Sequence, residues 1–260
     1  KKEKIECNYY HDYYLHEPGS ITNNSGGIYV KFTPFYEKAI IDKDFDVVSN
    51  YKIKNFTSTS KSMSFVIDLK EARKKFIGDL NNELAVRGGR ENGMNQLKYA
   101  LQNLNKYNET RDNMSEETSM LSAYIKYGCI SIREVCHKFK IKYGKHNEFI
   151  RQLIWRDFYM HILNRHPESL GQLYNKKLAS IKWNDNTNYL NHWKNGTTGF
   201  PLVDAGMRQL NKTGYMHNRV RMIVATFLSK VLYLNWKDGE KYFAQQLVDY
   251  DVASNSGNWQ

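Results

Sequence analysis

Between Pro201 and Leu210 the apolar residues Val203, Met207 and Leu210 recur three and four positions apart, the spacing of one buried helical stripe. Pro201 suits the first turn of that helix, where a missing N–H costs nothing, and Gly214 supplies the left-handed residue that ends it. The pattern then restarts. Val220, Ile223, Val224, Phe227 and Leu228 predict a second helix from about Met216 into Leu232. Asn218, Arg221, Met222 and Ala225 share one face of it, a polar and cationic strip on an otherwise apolar helix. Upstream, residues 67–84 are helical in pattern until Arg87-Gly88-Gly89-Arg90 interrupts them. Leu97, Leu101 and Leu104 then mark a helix that ends near Tyr107. Ser131-Ile132-Arg133-Glu134 reads as a capping box that opens another helix, running to about Phe139.

The N-terminal part has a different pattern. Tyr13-Tyr14-Leu15 and Ile28-Tyr29-Val30-Lys31-Phe32 are short β-prone runs, separated by turn residues at Pro18-Gly19 and Asn23–Gly27. Residues 36–66 mix Lys, Asp, Ser and Thr with scattered apolar residues and read as a surface linker. The expected layout is a short β segment over residues 1–35, a linker over 36–66 and a mainly α-helical domain over 67–260.

A chain of 260 residues with 41% hydrophobic and 14% aromatic residues can bury a substantial core. Its 38 Lys and Arg against 27 Asp and Glu give a net charge of +11. That balance favours a polyanionic partner, nucleic acid first and an anionic membrane surface second, although a merely basic protein carries the same sign. Cys7, Cys129 and Cys136 are odd in number and lack metal-type spacing, as expected of reduced thiols in an intracellular protein. No apolar run of about 18 residues is present, which excludes a membrane-spanning helix.

Four groups of residues carry candidate chemistry. Thr118-Ser119-Met120-Leu121-Ser122, preceded by Tyr107 and Arg111-Asp112, gathers hydroxyls that can donate to phosphate oxygens or make an ordinary helix cap. Gln152, Trp155, Arg156 and Tyr159 fall on one arc of a helix. An indole beside a guanidinium suits a flat ligand next to phosphate, and equally a core Trp with a paired Arg. Asp249, Asp251 and Asn255 could begin a metal site, but the His and Glu ligands that would complete one are not evident. Trp183, Trp236 and Trp259, each taken alone, read as core packing.

Taken together, Thr198–Met222, Gln152–Tyr159 and Leu247–Gln260 closely resemble the FAD-binding domain of the photolyase/cryptochrome family, most of all its microbial cyclobutane pyrimidine dimer photolyases. The resemblance implies a helical flavin domain cut short at both ends, preceded by a β remnant of an α/β antenna domain. It implies FAD as cofactor and no antenna chromophore in this chain. The implied reaction is light-driven repair, in which reduced flavin passes an electron to a pyrimidine dimer flipped out of double-stranded DNA. The implied cofactor contacts are Tyr107, Thr118, Ser119, Met120, Leu121, Ser122, Asn218, Arg221, Asp249, Asp251 and Asn255, with Arg221 paired to Asp249 and Asn255 at flavin N5. Arg111, Gln152, Trp155, Arg156, Asn218, Arg219 and Met222 would meet DNA and the dimer. Trp259, Trp236 and Trp183 would relay electrons from the surface to the flavin. The resemblance departs from the family at Gln152, where many repair enzymes carry Glu. Gln still hydrogen-bonds a base edge but offers no carboxylate. A second chain could supply the missing segments. The alternatives are a cryptochrome-like light sensor and an inactive remnant.

Overall fold

The computed structural model describes residue 7 and residues 11–42, 68–76 and 83–260. The elements in chain order are α1 (Phe32–Asp42), α2 (Leu69–Phe76), α3 (Arg90–Asn103), α4 (Tyr107–Thr110), α5 (Ser122–Lys126), α6 (Ile132–Tyr143) and α7 (Glu148–Arg165), followed by α8 (Thr187–Asn195), α9 (Pro201–Thr213), α10 (Asn218–Thr226), α11 (Trp236–Gln246) and α12 (Val252–Trp259). Among the described residues there is no strand; an isolated bridge pairs Asn184 with Leu234.

The axis of the molecule is α7. Asn147 caps it, its Oδ1 accepting the Ile150 N–H at 3.0 Å. Phe149, Ile150, Leu153, Ile154, Phe158 and Leu163 are all buried, because α1, α4, α6 and α12 pack around it. One hydrophobic cluster joins α7 to Leu15, Ile21, α1, α3 and α6. A second gathers Trp193, Val203, Met207, Leu210, Val220, Val224 and Phe243 from α8 to α11. Each fully buried Leu, Ile, Val or Phe contributes about 1.5–3 kcal/mol. Helix α12 packs against both α7 and α11 and so lies where the two clusters meet.

The predicted start and stop of α9 are both observed, with Pro201 in its first turn and Gly214 left-handed at φ +66°. A side chain at Gly214 would also collide, since a Cβ there would sit 2.6 Å from Val248 Cγ1. The Gly214 carbonyl accepts the Val248 N–H at 2.9 Å, so the end of α9 anchors the loop that leads into α12.

Four expectations need correction. The β-prone runs are not strands, since Tyr13–Leu15 is a bend and Phe32 opens a helix. An isolated strand pair is marginal in water, and these residues find better partners on α7. Residues 36–42 complete α1 instead of forming a surface linker. Phe32, Phe35, Ala39 and Ile40 recur at helical spacing and are all buried; residues 43–66 of the expected linker lie outside the described residues. The capping box is only half made. Ser131 Oγ accepts from Arg133 N, while Glu134 turns away to pair with Arg90 at 2.7 Å, and the helix runs four residues past Phe139 to Tyr143. Finally, α10 does not run evenly to Leu232 but widens into a π turn over Phe227–Val231, where the Leu232 N–H reaches the Phe227 carbonyl. Of the expected helix at 67–84, Leu69–Phe76 is observed and residues 77–82 lie outside the described residues.

Candidate functional site

The centre of the site is the carboxylate of Asp249, on the loop between α11 and α12. Its Oδ2 accepts the Ser122 hydroxyl at 2.6 Å and an Arg221 guanidinium N–H at 2.9 Å. Arg221 is held in turn by its Nε–H, which donates to the Met216 carbonyl at 2.8 Å. The expected Arg221–Asp249 pair is therefore formed. Ser122, at the start of α5, joins it across 127 residues of sequence. The Asp249 side chain is 5% exposed, yet its Oδ1 has no hydrogen-bond partner. An ionised carboxylate oxygen left empty in a buried place is costly unless something else fills the position.

Asp251, two residues on, caps α12 by accepting the Ser254 N–H at 3.0 Å. Its other oxygen lies 3.6 Å from Arg156 NH2, and that nitrogen is also buried without a hydrogen-bond partner. Asn255 belongs to the same loop-and-helix unit, but its carboxamide donates to Glu240, at 2.9 Å to the side chain and 3.2 Å to the carbonyl.

The hydroxyl stretch lines the same region. Thr118 Oγ1 meets the Tyr215 hydroxyl at 2.8 Å, and Ser119 Oγ accepts the Leu121 N–H. Met120 takes a left-handed φ of +51°, an uncommon value for a side-chain-bearing residue, and Leu121 is buried beneath it. Tyr107 packs edge-on against Phe149, and burial pushes its hydroxyl up to about 12, so it remains a proton donor at neutral pH. His217 has a third unpartnered buried atom, Nε2; its Nδ1 accepts the Arg219 N–H at the start of α10. Burial holds its pKa below the ordinary histidine value.

The residues expected to meet DNA fall into two sets. Asn218 and Met222 are exposed on α10. Arg219 and Arg111 are each already paired, Arg219 with Asp112 at 2.6 Å and Arg111 with Glu148 at 2.8 Å. The Arg219 guanidinium beside Asp112 holds that carboxyl below the usual carboxylate range. Gln152 donates to the same Glu148 at 2.6 Å. Trp155 lies face to face with Phe32 of α1, with centroids 3.6 Å apart and planes 8° from parallel, and more loosely stacked with Tyr159. One indole face is thus already covered. The sequence pattern did not single out Glu148, and it placed Phe32 in a β-prone run and not at the site. Glu148 stands one turn before Gln152, so the i, i+4 spacing was the available signal.

The three tryptophans expected to relay electrons have separate surroundings. Trp183 is half-buried beside Tyr233, with ring centroids 5.5 Å apart. Trp236 is 4% exposed at the start of α11. Trp259 packs edge-on to Phe243 and lies over Gly239, where any Cβ would come within 2.3 Å of the indole. Trp193, fully buried, also neighbours Trp259 at 6.4 Å. What gathers here is a buried ion pair, clustered hydroxyls and open donor and acceptor atoms, where a flat polar ligand bearing phosphates would find both charge signs.

Residues 149–260 match the family model for the FAD binding domain of DNA photolyase. A deoxyribodipyrimidine photo-lyase of Buchnera aphidicola subsp. Baizongia pistaciae is 40% identical over 278 aligned residues, which cover 100% of this chain and 56% of that protein. The solved structure of a class III photolyase from Agrobacterium tumefaciens superposes with a TM-score of 0.77 at 33% identity, covering 95% of this chain and 53% of that one. An archaeal photolyase from Sulfolobus tokodaii, solved with two FAD molecules, superposes with a TM-score of 0.74 at 37% identity, covering 96% and 53%. The chain spans about half the length of the relatives it matches.

Proposed function

Residues 149–260 belong to the photolyase FAD-binding family, and on that premise we propose that this chain binds FAD and serves the light-driven repair of cyclobutane pyrimidine dimers in double-stranded DNA. The observation that carries the reading is the set of open buried atoms, Asp249 Oδ1, Arg156 NH2 and His217 Nε2, around a formed Arg221–Asp249 pair. Their charges and donor character fit a flavin dinucleotide. FAD, when bound, supplies the light absorption and the electron-donating chemistry. The chain's own residues bind and orient. Asp249 and Asp251 offer acceptors to ring and ribityl donors, Arg221 fixes Asp249, and Ser122, Ser119 and Thr118 offer hydroxyls toward phosphate. Asn255 would serve the flavin only by turning its carboxamide away from Glu240. Trp183, Trp236 and Trp259 form the electron relay.

Toward DNA, Arg111 and Arg219 exchange their carboxylate partners for backbone phosphates, and Gln152, Trp155, Arg156, Asn218 and Met222 receive the flipped dimer, Arg156 and Asn218 being shared between dimer and flavin. Trp155 does this with the face that Phe32 leaves open. A second chain that completes the flavin pocket, and an intracellular setting, belong to the same proposal. Among the described residues no helix is long and apolar enough to cross a membrane.

The test is direct. The purified chain, titrated with FAD, should take up about one equivalent, and its reduced, illuminated form should convert dimer-containing duplex back to intact pyrimidines. A chain that retains no flavin overturns the reading. A chain that binds flavin but leaves dimers untouched, and binds damaged and undamaged duplex alike, is a light sensor instead.

A further inference from the structure

We propose that the segment Tyr13–His16 is a positioning element of this same site, acting through Arg156; the proposal rests on the FAD reading above. Arg156 and Asp157 are adjacent on α7 and hold the segment from two sides. Both Asp157 oxygens are committed to it. Oδ1 accepts the Leu15 N–H at 3.2 Å, and Oδ2 accepts the His16 N–H at 2.8 Å and the His16 Nδ1 at 2.9 Å. The other ring nitrogen of His16 faces the Ala39 carbonyl of α1 at 3.1 Å. Asp157 and His16 are both 0% exposed. The segment is therefore fixed to α7 and α1 by a buried network of hydrogen bonds in which both Asp157 oxygens and both His16 ring nitrogens are partnered.

What the segment presents from that attachment is a pair of tyrosine rings. Tyr13 and Tyr14 stand perpendicular to each other with centroids 4.9 Å apart. The Arg156 guanidinium carbon lies 4.2 Å from the Tyr13 centroid and 4.4 Å from that of Tyr14. Arg156 NH1 donates to the Tyr13 carbonyl at 2.6 Å. One end of the guanidinium is thereby fixed, and the other is set 3.6 Å from Asp251 Oδ2, beyond hydrogen-bond range. Without the two rings, the guanidinium could swing the short distance needed to close on Asp251. The closure would spend the NH2 donor and one Asp251 oxygen together. The segment keeps both available to a ligand. Tyr14 feels the same carboxylate, since burial first and the Asp251 charge second hold its hydroxyl proton on.

The test is a double-mutant cycle on FAD binding, with the intact chain and FAD as the probe. Tyr13→Leu/Tyr14→Leu keeps apolar bulk and removes the ring faces. Arg156→Gln removes the group they hold. Each is expected to raise the FAD Kd by about ten-fold, in line with two cation–π contacts at a partly exposed site. The combined variant should be no worse than Arg156→Gln alone, because the rings act only through that side chain. Tyr13→Phe/Tyr14→Phe, which keeps both ring faces and the Tyr13 carbonyl, should restore wild-type affinity. Where the leucine pair fails to fold, Tyr14→Leu alone completes the cycle. Strictly additive losses, or leucine variants with wild-type affinity, overturn the proposal while leaving FAD binding intact. A wild-type chain that takes up no FAD overturns both readings together.

Discussion

Two buried carboxylates sit at opposite ends of the charged machinery, and they are treated differently. Asp157, 0% exposed, has both oxygens matched by backbone and imidazole donors. Asp249, 9% exposed as a whole residue, loads Ser122 and Arg221 onto one oxygen and leaves the other empty. Both lie where desolvation is expensive. The first resolves that cost within the chain and becomes a structural lock. The second leaves it unresolved, which is what a site built to be completed from outside looks like. Removing a partner from Asp157 should therefore damage the fold, whereas changing Asp249 should damage binding.

The largest effect expected from this contrast is that of Asp157→Ala. It strands two backbone N–H groups and the His16 ring and should cost about 3–5 kcal/mol in chemical denaturation. A loss under about 1 kcal/mol would erase the distinction between the two carboxylates. Next comes ligand linkage. At FAD one hundred times its Kd the wild-type chain should gain about 2.7 kcal/mol of stability, and Asp249→Asn should gain little of it while unfolding at nearly the wild-type denaturant concentration without FAD. If Asp249→Asn lost stability as Asp157→Ala does, Asp249 would be a structural residue too.

A smaller effect probes the surroundings of the lock by pH. His161 sits beside the lock; its Nδ1 donates to the Asp157 carbonyl and its Nε2 accepts the Ile21 N–H. Burial lowers its pKa in the folded state. On acidification the unfolded chain takes the proton first, so the stability present above about pH 6.5 is lost as pH falls through the folded value. The urea midpoint should drop between pH 7.5 and 5.5, and less so in His161→Gln; a midpoint that rises on acidification would contradict the buried neutral ring. The smallest effect is expected at Asp112→Asn. Its ion pair with Arg219 is exposed, so unfolding should shift by at most a few tenths of a kcal/mol. Affinity for duplex DNA should nevertheless rise, with a steeper salt dependence, because Arg219 is released for phosphate.

The sequence was most legible where local rules and burial agree. Pro201, the Val203–Met207–Leu210 stripe and Gly214 place α9 to the residue. The Arg221–Asp249 pair was legible through family resemblance, since 28 residues separate its members and no periodicity joins them. The N-terminal segment was misread because β-prone Tyr and Ile runs satisfy a short-range pattern, while its real partners lie more than 140 residues away. Helix α1 hides its stripe of Phe32, Phe35, Ala39 and Ile40 among Lys, Glu and Asp. The pairings of Arg111 with Glu148 and of Arg219 with Asp112 were not legible, because they depend on packing that no single-sequence window contains. The π turn at Phe227–Val231 escapes for a related reason, since one widened turn leaves the apolar spacing almost unchanged.

The lock at Asp157 also sets a timetable for synthesis. Leu15 and its acceptor are 142 residues apart, so the Tyr13–His16 segment, once synthesised, must wait for α7 to be made. At roughly 5–20 residues per second that wait is on the order of ten seconds. Throughout it Leu15, Ile21, Phe32 and Phe35, all buried in the finished protein, have no α7 to cover them. The nascent chain must travel that interval with its stickiest surface uncovered, and a chaperone that shields aromatic segments would find its client there.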